Sequence, residues 1–275
     1  MSKTTAETRL AATILLLRDG PEQLEVFMVE RHHQIDFAEG ALVFPGGKTE
    51  ASDAAPELLP FCNGPESESS SESTVRIAAI RETFEECGVL LARPRGSTGL
   101  VDGPRLEAIA KQYRDPLQAG DCSMLDLVRN EELELAFDLL VHFAHWITPD
   151  FMPKRFDTHF FLVPAPSDQL AVHDGSESVD SLWTTIPRAL ELEKTGQRTI
   201  IFPTLENMKK LGRSDSVAAA LESARRDTVV TVQPRVSKEP DGTLMMVLPE
   251  EAGYDTVRAP MDALAGTRGA GPKTP

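Results

Sequence analysis

The chain has 275 residues, 41% apolar and 26% charged, which excludes a collagen-like, coiled-coil or wholly disordered protein. No apolar run reaches the roughly 18 residues of a membrane-crossing helix; the longest, Leu10 to Leu17, stops at Arg18. With 28 basic against 43 acidic residues the formal charge is −15, so bulk nucleic acid and anionic membrane are repelled unless bound metal or a local basic patch reverses the field.

Residues 1–9 are polar, with no apolar signal region behind them, and read as a flexible N-terminus. Thr13 to Leu17 and Leu24 to Val29 are strand-forming runs on either side of Arg18-Asp19-Gly20-Pro21, the pattern of a β-hairpin. A third short strand, Ala41 to Phe44, runs into Pro45-Gly46-Gly47. Residues 48–73 are expected to be an insertion loop, solvated from Asn63 onward because Glu66 to Ser73 holds only serine and glutamate. From Thr74 to Cys87 the residues Val75, Ile77, Ala78, Ile80 and Phe84 fall at helical spacing, with Ser73 or Thr74 as the N-cap and Gly88 as the stop.

Val89 to Leu91 follows as a short strand or extended segment, and residues 104–145 are expected to be a mostly helical insertion. Phe156 to Val163 and Ser181 to Thr185 read as strands; Pro187 to Leu192, Pro203 to Leu211 and Val217 to Arg226 read as helices. Val229 to Val232 is a strand whose expected hairpin partner is Leu244 to Leu248, across Asp241-Gly242. Residues 261–275 form a glycine- and proline-containing tail. Strands, then helices, then strands predict an α+β protein with a mixed-sheet sandwich, one domain over 10–260. Cys62, Cys87 and Cys122 lack C-x-x-C spacing and suit reduced thiols in a cytoplasmic protein.

The chemistry lies in Arg81-Glu82-Thr83-Phe84-Glu85-Glu86-Cys87-Gly88-Val89. Glu82, Glu85 and Glu86 stand at i, i+3 and i+4, so three carboxylates share one helical face and repel one another. A hard divalent cation, Mg²⁺ or Mn²⁺, relieves that repulsion, and such ions are often held by a few carboxylates together with a substrate phosphate. Arg81, four residues before Glu85, is placed to hold its carboxylate, and the Gly46-Gly47 turn upstream allows backbone to approach an ion closely. E-x-x-E-E alone better describes a solvated acidic face; the Gly46-Gly47 turn upstream and the apolar residues that anchor this helix are what favour a site.

Gly47 with the run Arg81 to Val89 resembles the signature of the Nudix hydrolases, G-x5-E-x7-R-E-U-x-E-E-x-G-U, with Thr83 at one apolar position U. Eight residues before Arg81, where that signature carries glutamate, stands Ser73, with Glu72 beside it. The insertion, together with Val43 to Gly47, Arg155 to Phe161, Glu177 with Trp183, Ile201 to Thr204 and Gly253-Tyr254-Asp255, is similar to the peroxisomal-type coenzyme A diphosphatases and their bacterial relatives.

The resemblance implies a Nudix α/β/α sandwich and metal-dependent hydrolysis of a nucleoside diphosphate linkage. For coenzyme A or acyl-coenzyme A the products would be 3′,5′-ADP and (acyl-)4′-phosphopantetheine. Glu82, Glu85, Glu86 and the Gly47 carbonyl would hold the metal, with Arg81 beside them. Glu86, or Glu177 in Asp174-Gly175-Ser176-Glu177, would be the general base, while Arg31, Arg155, Gly46 and Gly47 would meet the substrate. Competing readings are the same chemistry on ADP-ribose, dinucleotides or nucleoside triphosphates, and a non-catalytic Nudix-fold binding module.

His142, His145, His159 and His173 show no partner spacing and read as structural or surface residues, and the adjacent His32 and His33 point apart on a strand. Trp146 and Trp183 are expected in the core or a cleft wall. Expected partners are a coenzyme A-type small molecule and a second copy in a homodimer, with no nucleic acid or membrane. The ending Lys273-Thr274-Pro275 lacks a peroxisomal tripeptide, which again reads as cytoplasmic.

Overall fold

Strand β1 (Thr8–Asp19) is the spine of the molecule, and its alternation makes two cores. Ala12, Ile14 and Leu16 pack on one side of the sheet, Leu15 and Leu17 on the other. A computed structural model describes residues 7–31, 40–64, 69–169 and 178–261. The early chain continues through β2 (Leu24–Arg31), β3 (Ala41–Val43) and β4 (Gly46–Lys48) to helix α1 (Ser70–Cys87). Next come β5 (Ala92–Pro94), α2 (Gly103–Ala119), α3 (Met124–Asn130) and β6 (Leu133–Leu135). The middle of the chain forms β7 (Val141–Ile147), β8 (Arg155–Pro164), β9 (Ser178–Thr185), α4 (Ile186–Lys194) and β10 (Thr199–Ile200). Last are α5 (Phe202–Leu211), α6 (Val217–Arg226), β11 (Thr231–Val232), β12 (Arg235–Lys238), β13 (Leu244–Val247) and β14 (Arg258–Pro260).

The main sheet runs β10-β3-β2-β1-β8-β7-β11, with β4 added to β1 and β9 to β2. It is mixed: β1 pairs parallel with β8 and antiparallel with β2 and β4. Helix α1 covers the Ala12–Ile14–Leu16 face, and α4, α5 and α6 cover the other. This is the α+β sandwich that the order of elements predicts. Among the described residues no helix is long and apolar enough to cross a membrane.

Several expectations are corrected. Residues 48–73 do not form one loop: Ala51–Ala54 and Pro56–Phe61 are 3-10 turns that bury Asp53 and Leu58, and the helix starts at Ser70. Its cap is Ser69, whose hydroxyl accepts from the Glu72 amide at 3.3 Å, so neither Ser73 nor Thr74 is the cap. Serine and glutamate suit a first helical turn, where hydroxyls cap amides and acids meet the positive end of the dipole. The composition that reads as loop therefore also reads as helix start.

The 104–145 stretch is α-helical only to Asn130, with one further 3-10 turn at Phe137–Leu139. Beyond Asn130, Leu133-Glu134-Leu135 alternates in and out, and Val141 to Ile147 has the burial and β-rich composition of a strand. Val89 to Leu91 carries no regular structure, and the strand itself begins at Ala92. Finally, β13 pairs antiparallel with β12, and β11 joins β7 in parallel. The tight Asp241-Gly242 turn selects the strand immediately before it, and Pro234 separates that strand from the earlier one.

The histidines are also placed otherwise than spacing predicts. A register shift between His142 and Ala144 turns His142 and His145 to the same face, where His159 of β8 lies opposite His145. Burial, then the neighbouring imidazoles, push His142 and His159 down to about 4.

Candidate active site

Helix α1 is buried nearly all round: from Val75 to Cys87 only Glu86 is more than slightly exposed. Charges on such a helix are costly unless paired. Arg81, 3% exposed, engages all of its donors. Nε and Nη2 donate to Asp53 at 3.0 Å each, Nη1 to Glu82 at 3.0 Å and Glu85 at 3.2 Å, and Nη2 also to the Lys48 carbonyl at 2.9 Å. Burial alone would lower the Arg81 pKa, yet the bond to Asp53 and the charges of Glu82, Asp53 and Glu85 hold it above its usual range. At position 83, where the family signature is apolar, Thr83 is accommodated by donating its hydroxyl to the Ala79 carbonyl at 2.7 Å.

Asp53 is the residue that sequence reasoning missed. Counting back from Arg81 leads to Ser73, in the first turns of α1, whereas counting six forward from Gly47 reaches Asp53. The first half of the signature is therefore present with aspartate for glutamate, and the inserted residues fall between Asp53 and α1.

The Gly46-Gly47 strand lies against the carboxylates. The Gly46 amide donates to Glu86 Oε2 at 2.9 Å. A Cβ on Gly47 would sit 2.5 Å from Glu82 Oε1, so absence of a side chain is what lets the carboxylate meet the backbone. Three carboxylates, Asp53, Glu82 and Glu85, thus surround one guanidinium, and the adjoining Glu86 adds a fourth acid, leaving an excess of negative charge. Glu85 Oε1 is buried and accepts no hydrogen bond. Burial raises Glu85 to about 7, against the opposing pull of Arg81. An orphaned buried oxygen among crowded anions fits a divalent cation. Glu82, Glu85, Glu86 and the adjoining Gly47 backbone are the groups that could hold one.

On the other side of these strands a cleft of about 210 Å³ reaches Gly46 and Gly47. Its walls are largely apolar and aromatic, with Phe44, Trp146, Phe156 and Phe160. Behind Trp146 a buried chain runs from its Nε1–H to Tyr254 Oη at 2.9 Å and on from the Tyr254 hydroxyl to Asn207 Oδ1 at 2.7 Å. Arg155, expected to meet substrate, is buried and donates to the Thr148 carbonyl and the Asp150 carboxylate, which ties it to the β7–β8 turn at the rim of the cleft. Arg31 ends β2 opposite Ser178, and its side chain is not described. Glu177, His32, His33 and His173 lie outside the described residues.

Known proteins resemble this chain in sequence and in fold. The chain is 25% identical over 226 residues to acyl-coenzyme A diphosphatase NUDT19 of Xenopus laevis, covering 68% of this chain and 59% of that one. It is 27% identical over 238 residues to the Gallus gallus protein of the same name, covering 70% and 62%. The chain thus spans about 60% of the length of these curated relatives. The crystal structure of a NUDIX hydrolase from Alicyclobacillus acidocaldarius superposes with a TM-score of 0.66 at 28% identity, covering 80% of this chain and 97% of that one. The family model of the NUDT19 Nudix domain matches residues 63–211, more than half of the chain, which therefore belongs to the Nudix hydrolase family.

Proposed function

We propose that this protein is a divalent-metal-dependent diphosphatase that cleaves coenzyme A or acyl-coenzyme A into 3′,5′-ADP and (acyl-)4′-phosphopantetheine. The observation that carries the reading is the Glu82–Glu85–Glu86 face, with its orphaned Glu85 oxygen, set against the Gly46-Gly47 strand that lines an aromatic cleft. The names of the amphibian and avian relatives support the coenzyme A-type substrate. Mg²⁺ or Mn²⁺ held there would neutralise the diphosphate and acidify a water for attack on phosphorus.

The chain's own residues divide the remaining work. Arg81 fixes the carboxylates of Glu82 and Glu85 through separate bonds from one nitrogen. Glu86 is partly exposed and oriented by the Gly46 amide, which suits it to take the proton of the attacking water at its carboxylate. The apolar cleft, which reaches Gly46 and Gly47 from the other side of the strand, binds the flat or chain-like part of the substrate. No covalent intermediate is required. Localisation in the cytoplasm remains part of this proposal.

The test is a panel of diphosphates assayed with Mg²⁺ and with Mn²⁺, with products identified. Coenzyme A or an acyl-coenzyme A should be the best substrate. Equal or faster turnover of ADP-ribose, a dinucleotide or a nucleoside triphosphate overturns the substrate assignment, and no turnover of any of them overturns the enzymatic reading.

A further inference from the structure

Outside the α1 carboxylates, strands β7 and β8 gather a second group of metal-ligating side chains. His145 and His159 face each other across the strand pair, their rings stacked with centroids 4.1 Å apart. Asp157 precedes His159 by two residues and so shares its face. We propose that His145, Asp157 and His159 form a second metal site, distinct from the α1 carboxylates, for a borderline divalent transition ion of the Zn²⁺ type.

One ligand atom from each residue lies within 4.8 Å of the other two. His159 Nε2 is 3.8 Å from Asp157 Oδ1, and His145 Nε2 contacts that same oxygen. A tetrahedral ion with bonds of about 2.1 Å spaces its ligands by about 3.4 Å, so small side-chain rotations suffice to receive it. The outer ring nitrogens are already engaged: His145 Nδ1 with Thr231 Oγ1 at 2.8 Å, and His159 Nδ1 with His142 Nε2 at 3.1 Å. Metal-binding imidazoles use such outer partners to set their tautomer and aim the other nitrogen inward. Here both Nε2 atoms are left turned toward Asp157.

The donor set chooses the ion. Two imidazoles and one carboxylate suit zinc-like ions and leave a coordination position open, whereas Mg²⁺ prefers oxygen donors throughout. The ligands are only partly buried, with side-chain exposures of 16% for His145, 21% for His159 and 30% for Asp157, so that position is reached from solvent. The site also has a defined relation to the other one. Gly47 registers with Ala12, Ala12 with His159 and His159 with His145, a single row across four strands. At about 4.8 Å per strand, His159 stands about 10 Å from Gly47 on the same sheet face. The two sites share a face and no ligand.

The experiment titrates Zn²⁺, and Co²⁺ as a spectroscopic probe, into the whole chain saturated with Mg²⁺. One equivalent should bind tightly, and Co²⁺ should give the intense visible absorption of a low-coordinate nitrogen–oxygen site. His145→Gln and His159→Gln should each weaken Zn²⁺ binding by about 100-fold or more, while Glu85→Gln leaves it unchanged. Unaltered Zn²⁺ affinity in both histidine variants overturns the proposal, as does Zn²⁺ binding abolished by Glu85→Gln. Should the variants fail to fold, Zn X-ray absorption on the unaltered chain decides. Two imidazoles in the first coordination sphere support the site; an all-oxygen shell, or no bound Zn²⁺ beside saturating Mg²⁺, identifies the cluster as a hydrogen-bonded histidine–aspartate pair and overturns it.

Discussion

Arg81 and Asp53 form a buried two-point ion pair across 28 residues of chain, with Nε and Nη2 each 3.0 Å from a carboxylate oxygen. Asp53 is 1% exposed and also accepts the Glu50 amide at 2.8 Å, so the Ala51–Ala54 turn that follows Gly47 is fastened to the helix at the point where the charges converge. Asp53→Asn keeps the shape and removes the charge. It should cost about 3 kcal/mol, the lower end for breaking a buried pair, because Arg81 retains Glu82 and Glu85. Urea unfolding would show a lowered midpoint at constant slope; a change under 0.5 kcal/mol, as an order of magnitude for surface sites, would remove Asp53 from this role.

The two glycines should fail differently. A Cβ on Gly46 would lie 2.3 Å from the Ala12 carbonyl oxygen, at a φ of 150° that side chains rarely adopt, and backbone cannot step aside. On Gly47 the obstacle is the Glu82 carboxylate, the end of a flexible side chain. Gly46→Ala should therefore lower thermal stability strongly. Gly47→Ala should leave the melting temperature nearly unchanged while weakening Mn²⁺ binding at least 10-fold, as a misplaced ligand does. Calorimetric titration with Mn²⁺ and a thermal melt on both variants check the contrast.

How much of this was legible from residues alone depends on distance along the chain. Glu82, Glu85 and Glu86 repeat on a helix, so their shared face follows from spacing within five residues. The β1–β2 hairpin and α6 are likewise local: Asp19-Gly20-Pro21 marks the first, and α6 spans the expected Val217–Arg226. Asp53 was hidden because the insertion separates it from Arg81, and only the glycine end of the signature keeps its spacing. The meeting of His145 with His159 depends on a strand register and a bulge, neither of which leaves a periodic trace. The serine and glutamate residues that open α1 are ambiguous for a physical reason, since one composition serves solvated loops and helix starts alike. The cleft has no signature of its own; its walls come from β3, β7, β8 and the start of α5.

Metal should replace a proton at Glu85. Burial raises this carboxyl from 4.5 to about 7, so the metal-free folded protein holds a proton there that the unfolded chain releases. The sign follows from that difference: stability of the metal-free protein falls as pH rises from about 4.5 to about 7, by at most a few kcal/mol. Bound Mn²⁺ supplies the missing positive charge, so its affinity should rise over the same interval and its stabilising increment should be larger at pH 8 than at pH 5. Denaturation at both pH values, with and without Mn²⁺, measures the two increments; equal ones would dissociate Glu85 from the ion.

Tyr254 should prove to be the post behind the cleft wall. Its hydroxyl accepts from Trp146 and donates to Asn207, and burial pushes its pKa above the ordinary tyrosine value. Tyr254→Phe keeps the ring, which meets Trp146 edge-on at 5.2 Å, but strands a buried indole N–H and a buried amide oxygen. Each unsatisfied group costs on the order of 1–3 kcal/mol, so the variant should lose about 2 kcal/mol or more in urea unfolding. Because Trp146 lines the cleft, while the α1 carboxylates are held by Arg81 and the Gly46 amide, the kinetic effect should appear as a raised KM with little change in kcat. A drop in kcat with KM unchanged would place Trp146 in the chemistry instead of the wall.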